Sequence, residues 1–488
     1  MDTTTETSAA PAQKPNWLIN RNFALLWVGD VISALGDYSF SITLTIWVGV
    51  VLAKGQPWAP LAITGLVLTS SIPMMVVGPI AGVYVDRWDK RKTMMVVDLL
   101  QALLVGILVV TTFFPGGSLP LGWELGTIYA VSFLLVATDQ FFNQAGNTLI
   151  RDIVPQADLP RAIGRVLTMV SIGTIIGPSI GAPLFVAFGA RWALLINTIS
   201  FLVSFALILA IRPPHHEAAS SASGEKKRFF PEFSFGLRFL FSSRILRAML
   251  IATVVYTIGT SAVSSLNIFF ITGNLHTPDA LYGFVAAALG IGSLIGAMIG
   301  STFVKRLGLE RVFWGSLLAI GICTLIYARL SFFALALVIL FLIGVPSGTL
   351  NVAAGPLYFR VTPRDVLART TAVRVSVAAL AGLVGTTLAG YLDSTILINL
   401  HVNAFGVVFS SVDTIILAGG VLVVIGGLYA MRNVHGAPSL SETQAAQAPK
   451  KEPAPEVESA PEIEPASEAE PAPAAVQVAD SPPSEESV

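Results

Sequence analysis

Three carboxylates stand where water is scarce. Asp30 and Asp37 lie in the run FALLWVGDVISALGDYSFSITLTIWV, and Asp139 lies in VSFLLVATDQFFNQAGN. Seven residues are close to two helical turns, so Asp30 and Asp37 share a helix face. Apolar surroundings favour the neutral form of a carboxyl, so an acid held there is a natural carrier of protons. Asp37 and Asp139 rank above Asp30, which stands nearer the start of its run. Other chemistries lack their residues. The chain has no G-x-x-x-x-G-K-[ST] phosphate loop and no H-E-x-x-H. His215, His216, His276, His401 and His435 show no ligand spacing, and Cys323 sits alone in an apolar run. No cofactor, metal or nucleic acid is expected, and no enzymatic role.

The elements that must position these acids follow from composition. Hydrophobic residues make up 54% of the chain and charged residues 12%, with a mean hydropathy of +0.74. Soluble domains carry roughly 25% charged residues, so this chain needs lipid as solvent. A bilayer core takes about 20 apolar helical residues. That ruler finds spans near 23–52, 60–85, 93–114, 124–150, 163–189 and 192–211, then near 246–272, 279–304, 312–328, 331–357, 369–393 and 405–431. With the N-terminus in the cytoplasm, 26 of the 29 lysines and arginines fall on the inner side, leaving only Lys54, Arg191 and Arg329 outside. Both termini are then cytoplasmic, as expected for a multi-pass protein of the plasma or inner membrane. Asp139 precedes the inner Arg151 by twelve residues, about 18 Å of helix, which is near mid-membrane.

The expected division is a cytoplasmic tail over 1–21, a six-helix bundle over 22–212, a linker over 213–245, a second six-helix bundle over 246–432 and a tail over 433–488. Within the linker, FFPEFSFGLRFLFSSRILR reads as an interfacial helix leading into span seven, its first half reading equally as a plain connector. From Ser439 onward the chain holds eleven acids against Lys450 and Lys451, leaving 27 basic and 19 acidic residues in the body. This Pro/Ala/Glu-rich tail has little to bury and is expected to be disordered.

The halves repeat one another. VPQADLPRA follows span four and TPRDVLART follows span ten, so that Pro155 pairs with Pro363, Arg161 with Arg369 and, in the next helices, Gly177 with Gly385. Gly78 and Gly82 near the end of span two pair likewise with Gly296 and Gly300 in span eight. Two parallel six-helix repeats with a cavity between them describe a rocking body.

Two motifs carry a family resemblance. The loop after span two reads G82-V-Y-V-D86-R87-W-D-K90-R91-K92, which resembles the G-x-x-x-D-R-x-x-R/K-R/K signature of the major facilitator superfamily. The resemblance implies an all-α fold of twelve transmembrane helices in two pseudo-symmetric bundles. It also implies a cytoplasmic latch in which Gly82, Asp86, Arg87 and Arg91 work with a facing base such as Arg374 or Arg369. The second copy is degenerate, with Val304 and Lys305 at the matching positions. Span five carries Gly164, Gly173, Gly177, Pro178, Gly181 and Ala182 in the spacing G-x8-G-x3-G-P-x2-G-A. It resembles the antiporter signature of drug-exporting facilitators, departing at its last residue. Gly173, Gly177 and Gly181 form a smooth stripe, matched by Gly292, Gly296 and Gly300 in span eight, and the family fold implies that the two stripes face each other where rocking occurs. The opening residues further resemble the branch holding macrolide-efflux proteins and the enterobactin exporter, although the family's Ala-Asn pair after span four is missing.

Asn143, Gln144 and Asn147 on span four, Asn267 on span seven and Asn351 on span ten are candidate cavity groups, with Phe141, Phe142, Trp47, Phe269, Phe270 and Tyr358 as walls. A mostly apolar cavity with scattered polar groups suits amphipathic organic molecules. The expectation is a monomeric secondary transporter in the lipid bilayer that exports small amphipathic compounds (drugs, macrolide-like or siderophore-like molecules) in exchange for protons. The alternatives are a facilitator-type importer and a non-transporting sensor acting through the acidic tail.

Overall fold

The computed structural model describes residues 19–434, apart from 86, 115–118, 213–228, 364–365, 398–399, 401 and 405–406. The acidic tail, the first part of the linker and Asp86 therefore lie outside the described residues. Twelve helices among those described are long and apolar enough to cross a membrane. The first six are α1 (Arg21–Ile46), α2 (Ala59–Val85), α3 (Lys90–Thr111), α4 (Leu121–Ile153), α5 (Leu159–Phe188) and α6 (Ala190–Leu209). A shorter helix, α7 (Phe229–Ser242), precedes the second six. These are α8 (Arg244–Phe269), α9 (Gly283–Leu307), α10 (Leu309–Tyr327), α11 (Phe333–Val361), α12 (Leu367–Tyr391) and α13 (Ser411–Asn433).

Local chemistry sets the helix ends. Asn20 caps α1 by accepting from the Phe23 N–H at 2.8 Å, and its amide donates to Ile153 O at 2.6 Å, tying the start of α1 to the end of α4. Asp89 caps α3 through the Lys92 N–H. Gly189 (φ 82°) and Gly308 (φ 85°) turn the chain between α5 and α6 and between α9 and α10 in a region that side chains avoid.

The last span begins later than its hydropathy suggests. Residues 402–404 pair antiparallel with 407–409, Val402 opposite Phe409, and the helix starts only at Ser411. Ser410 and Asp413 form a capping box there, which fixes the start against the apolar run before it.

The internal repeat is visible in the packing. In the first half α1 packs on α5 and α6, α3 on α4 and α6, and α2 on α4. The second half repeats each pairing: α8 on α12 and α13, α10 on α11 and α13, and α9 on α11. Both α1 and α8 end in a π-turn, Trp47–Leu52 and Phe270–Asn274. The paired glycines act alike, since Gly177 lies against Leu35 and Ser39 of α1 and Gly385 against Ile258 of α8. Lipid-facing stripes complete the pattern. On α3, Val96, Leu103 and Val110 are exposed, while Asp98, Gln101, Val105 and Leu108 on the other face are buried. Past the first turn of α3, the mid-helix polar groups Asp98 and Gln101 lie on the side turned toward neighbouring helices, as lipid as solvent requires.

The halves meet chiefly through two symmetric contacts, α5 with α9 and α2 with α12. Thr64 near the start of α2 donates to Thr386 O of α12 at 3.4 Å, and Gly390 lies against Thr64 and Pro60. Gly283 at the start of α9 lies against the Pro178 carbonyl of α5, and Gly290 against Ile175. These contacts gather toward the end of the bundle where α2 and α9 begin. The linker helix α7 docks on α12: Gly236 lies against Arg369 O and Val373, and the Arg369 guanidinium stands 5.6 Å from the Phe235 ring.

Candidate functional site

Inside the first half lies a cavity of about 340 Å³, lined from α1, α2, α3, α4 and α6. Asp37 of α1 and Asp139 of α4 both line it. Asn143, one turn beyond Asp139, donates to its Oδ2 at 2.8 Å and orients that carboxylate. Beside Asp37 stand Ser33 and the fully buried Asn197. The rest of the lining is chiefly apolar, with Phe40, Leu44, Ile63, Leu66, Leu135 and Phe201. Five polar groups complete it, Ser41, Thr45 and Ser70 with Gln101 and Ser132. Gln101 donates to Leu135 O at 3.4 Å, and the buried Ser132 hydroxyl has no hydrogen-bond partner. Asp30 is half-buried outside this lining, with one carboxylate oxygen buried and unpartnered.

The other cavity candidates are dispersed. Gln144, Asn147 and Asn351 are exposed along their helices. Asn267 accepts from the Tyr327 hydroxyl at 2.5 Å, a core contact of α8 with α10. Trp47, Phe270 and Tyr358 are buried, Phe141 stacks on Trp88 with centroids 5.9 Å apart, and Phe269 lines a separate hollow. The aromatic walls of the acid-bearing cavity are instead Phe40 and Phe201. Both stand in apolar runs whose inward face only packing decides.

The latch residues occupy one end of the molecule. Gly82 has nothing within 4 Å of the position of an added methyl, and Arg87 is exposed. Arg91 binds the carbonyls of Ile208 and Leu209 at 3.1 and 2.5 Å, closing the end of α6. Arg374 lies 5.3 Å from the Tyr358 ring centroid. The acid that would join them, Asp86, is outside the described residues.

The glycine stripes do not face each other. A methyl added at Gly173 would lie 2.7 Å from Tyr38 of α1, at Gly177 2.5 Å from Tyr38 Cβ and at Gly181 2.7 Å from Ser39 Cα. Ser39 Oγ donates to Gly177 O at 2.8 Å across the same crossing. Gly292, Gly296 and Gly300 lie against Phe341, Val345 and Val352 of α11. Both stripes therefore serve close crossings within their own half. Helices α5 and α9 do meet across the halves, but through Pro178 and Ile175. Spacing shows that a face is smooth and leaves its partner undetermined. A methyl added at Gly164 would meet no neighbouring helix within 4 Å.

The sequence profile of the family described as transmembrane secretion effector, MFS_3, matches residues 14–434. The chain belongs to that family. It is thus a transporter of the major facilitator superfamily and not an enzyme. Among similar proteins, the uncharacterized MFS-type transporter YfiS of Bacillus subtilis (strain 168) is 24% identical over 83% of this chain and 95% of its own length. The multidrug efflux pump Tap of Mycolicibacterium fortuitum is 26% identical over 68% of this chain and 83% of its own length. A bacterial homologue of the iron transporter ferroportin shares the fold at 14% identity. Its inward-facing state superposes with a TM-score of 0.64, covering 85% of this chain and 98% of that one. Its outward-facing state, at 15% identity, reaches 0.53 over 84% of this chain and 98% of that one.

Proposed function

We propose that this facilitator exports small amphipathic molecules across the plasma or inner membrane in exchange for protons, as a monomer with both termini in the cytoplasm. The observation that carries the reading is the placement of Asp37 and Asp139 together on one largely apolar cavity. Apolar walls take up the hydrophobic body of a solute by burying its surface. The two carboxyls hold protons, or yield them to a polar group of the solute, so that loading and protonation compete. The resemblance of span five to the antiporter signature supports export, as does the similarity to Tap.

The alternating bodies are residues 22–212 and 246–432, joined by the linker over 213–245. In the state described, the contacts Thr64–Thr386 and Pro178–Gly283 hold together the end at which α2 and α9 begin. With the N-terminus inside, that end is the outer one, and the conformation is inward-open. Outward opening then requires those contacts to part while the latch end, with Arg87 and Arg374, closes.

Susceptibility profiling tests the reading directly. Cells expressing the chain should tolerate higher concentrations of a subset of lipophilic drugs and accumulate less of them, and collapsing the proton gradient should erase the difference. A difference that survives the collapse would overturn proton coupling, and greater accumulation in expressing cells would reverse the direction.

A further inference from the structure

A fourth interior acid has no part in the cavity. Asp98, on α3, is fully buried, and neither of its carboxylate oxygens has a hydrogen-bond partner. The helix α3 packs on α4 and α6. From α6 the Ser204 hydroxyl stands beside Asp98, near enough to interact yet outside hydrogen-bond geometry, and it too is fully buried and unpartnered. From α1, Gly29 lies against Ser204, and its neighbour Asp30 has a buried, unpartnered oxygen. Three helices therefore converge on two carboxyls and a hydroxyl whose hydrogen-bonding capacity is largely unspent.

The charged groups around Asp98 are acids. Asp30 and Asp37 on α1 and Asp139 on α4 lie within electrostatic reach. The bases on its own helix, Lys90, Arg91 and Lys92, stand in its first turn, and Arg91, the one two turns before Asp98, is engaged with the end of α6. A polar track links this junction to the cavity. Along α6, Ser204, Ser200 and Asn197 succeed one another at helical spacing, all buried, and Asn197 stands beside Asp37. An ionised carboxylate at Asp98 would be an unpaired charge away from water, whereas the protonated acid is neutral and has a hydroxyl beside it.

We infer that Asp98 is a proton-binding residue of the transport cycle, holding a proton at the α1–α3–α6 junction in this conformation and exchanging it with the cavity acids Asp37 and Asp139. The step is a simple transfer: the O–H bond on Asp98 breaks, one forms on an ionised acceptor carboxylate, and the negative charge moves the other way. The inference rests on the proton-coupled reading above and adds a store of protons behind the cavity.

Infrared spectroscopy of the full chain in lipid nanodiscs at neutral pH decides it. Solvent-exposed acids are ionised there and contribute no protonated-acid carbonyl band. The wild type should show such a band, Asp98→Asn should lose one component, and Ser204→Ala should shift that same component while leaving every acid in place. An unchanged spectrum in Asp98→Asn would overturn the inference. If that variant does not fold, Ser204→Ala decides alone, because a band that ignores the loss of the neighbouring hydroxyl is not Asp98. Proteoliposomes provide the coupling test, with ethidium as probe and a cell-based confirmation that ethidium is exported. Asp98→Asn should retain downhill ethidium flux and lose at least tenfold of gradient-driven accumulation, and wild-type accumulation by Asp98→Asn would overturn the transport role. Failure of the exporter reading would look different: wild-type ethidium flux indifferent to the proton gradient, with the Asp98 band intact.

Discussion

The two halves share one packing plan and differ in what they bury. In the first, α1, α3 and α4 carry Asp30, Asp37, Asp98 and Asp139 well inside their lengths, and α6 adds Asn197, Ser200 and Ser204. In the second, every described acid stands near a helix end, and Asp393 and Asp413 are buried there rather than mid-helix. Asp279 precedes α9, Glu310 opens α10, Asp393 lies in the π-turn after α12 and Asp413 in the first turn of α13. Its interior is closed instead by small residues, with Gly292 against Gly344, Gly296 against Val345 and Gly348 against Ser293 between α9 and α11. Duplication fixes which helices touch, because that depends on shape. It leaves open where each half places its ionisable groups, and on the proposed reading one set of mid-helix acids couples a cycle in which both halves move.

The largest expected effect breaks or upholds this division directly. Replacing both Asp37 and Asp139 by Asn should abolish gradient-driven export, a loss of at least a hundredfold, while the protein remains in the membrane. The matching double change in the second half, Asp393→Asn with Asp413→Asn, should leave gradient-driven export within a few-fold of wild type. Drug accumulation in cells with membrane levels checked by immunoblot separates the two. Equal losses in both doubles would end the asymmetry.

The next effect concerns packing. Gly296→Leu drives a side chain into the Val345 backbone, and Gly177→Leu drives one into Tyr38. Overpacking of this kind costs about 1–3 kcal/mol or more, so both variants should unfold at lower temperature in a detergent thermal-shift assay. Gly164→Ala sharpens the point from within the same motif. Nothing lies within 4 Å of its added methyl, and alanine gains up to about 1 kcal/mol of helix propensity over glycine. It should melt no lower than wild type. A motif glycine that matters for stability is one pressed against another helix.

Much of this was legible in the residues and some was not, for reasons that differ by feature. Apolar runs of membrane length set the twelve spans, since lipid leaves little choice of element. The pairing of Gly177 with Gly385 anticipates two equivalent crossings because both positions need the same absence of a side chain. Asp37 and Asp139 stand out as charges far from any basic loop. Asp98 does not, because it lies six residues after the triplet Lys90–Lys92, where an acid can equally turn toward the basic loop. Only the docking of α3 against α6 sends it inward. The facing partners of the glycine stripes were misassigned for a related reason: periodicity defines a face, and tertiary packing chooses its neighbour. The cavity walls Phe40 and Phe201 were hidden among many apolar residues of equal standing.

The smallest expected effect tests the edge of the second half. Ser410 caps α13, accepting from the Asp413 N–H at 3.2 Å, while Asp413 reaches back to the Ser410 N–H and lies 3.9 Å from the Arg329 guanidinium. The Asn274 side chain donates to both Ser410 Oγ and Asp413, joining the end of α8 to the start of α13. Ser410→Ala removes the cap and one acceptor, at a cost of about 1 kcal/mol. A melting point lower by a few degrees with gradient-driven export unchanged is the expected outcome. If export fell in proportion to the Asp37 and Asp139 variants instead, the helix-end acids of the second half would belong to the proton path. The contrast between a half that titrates and a half that only packs would then have to be given up.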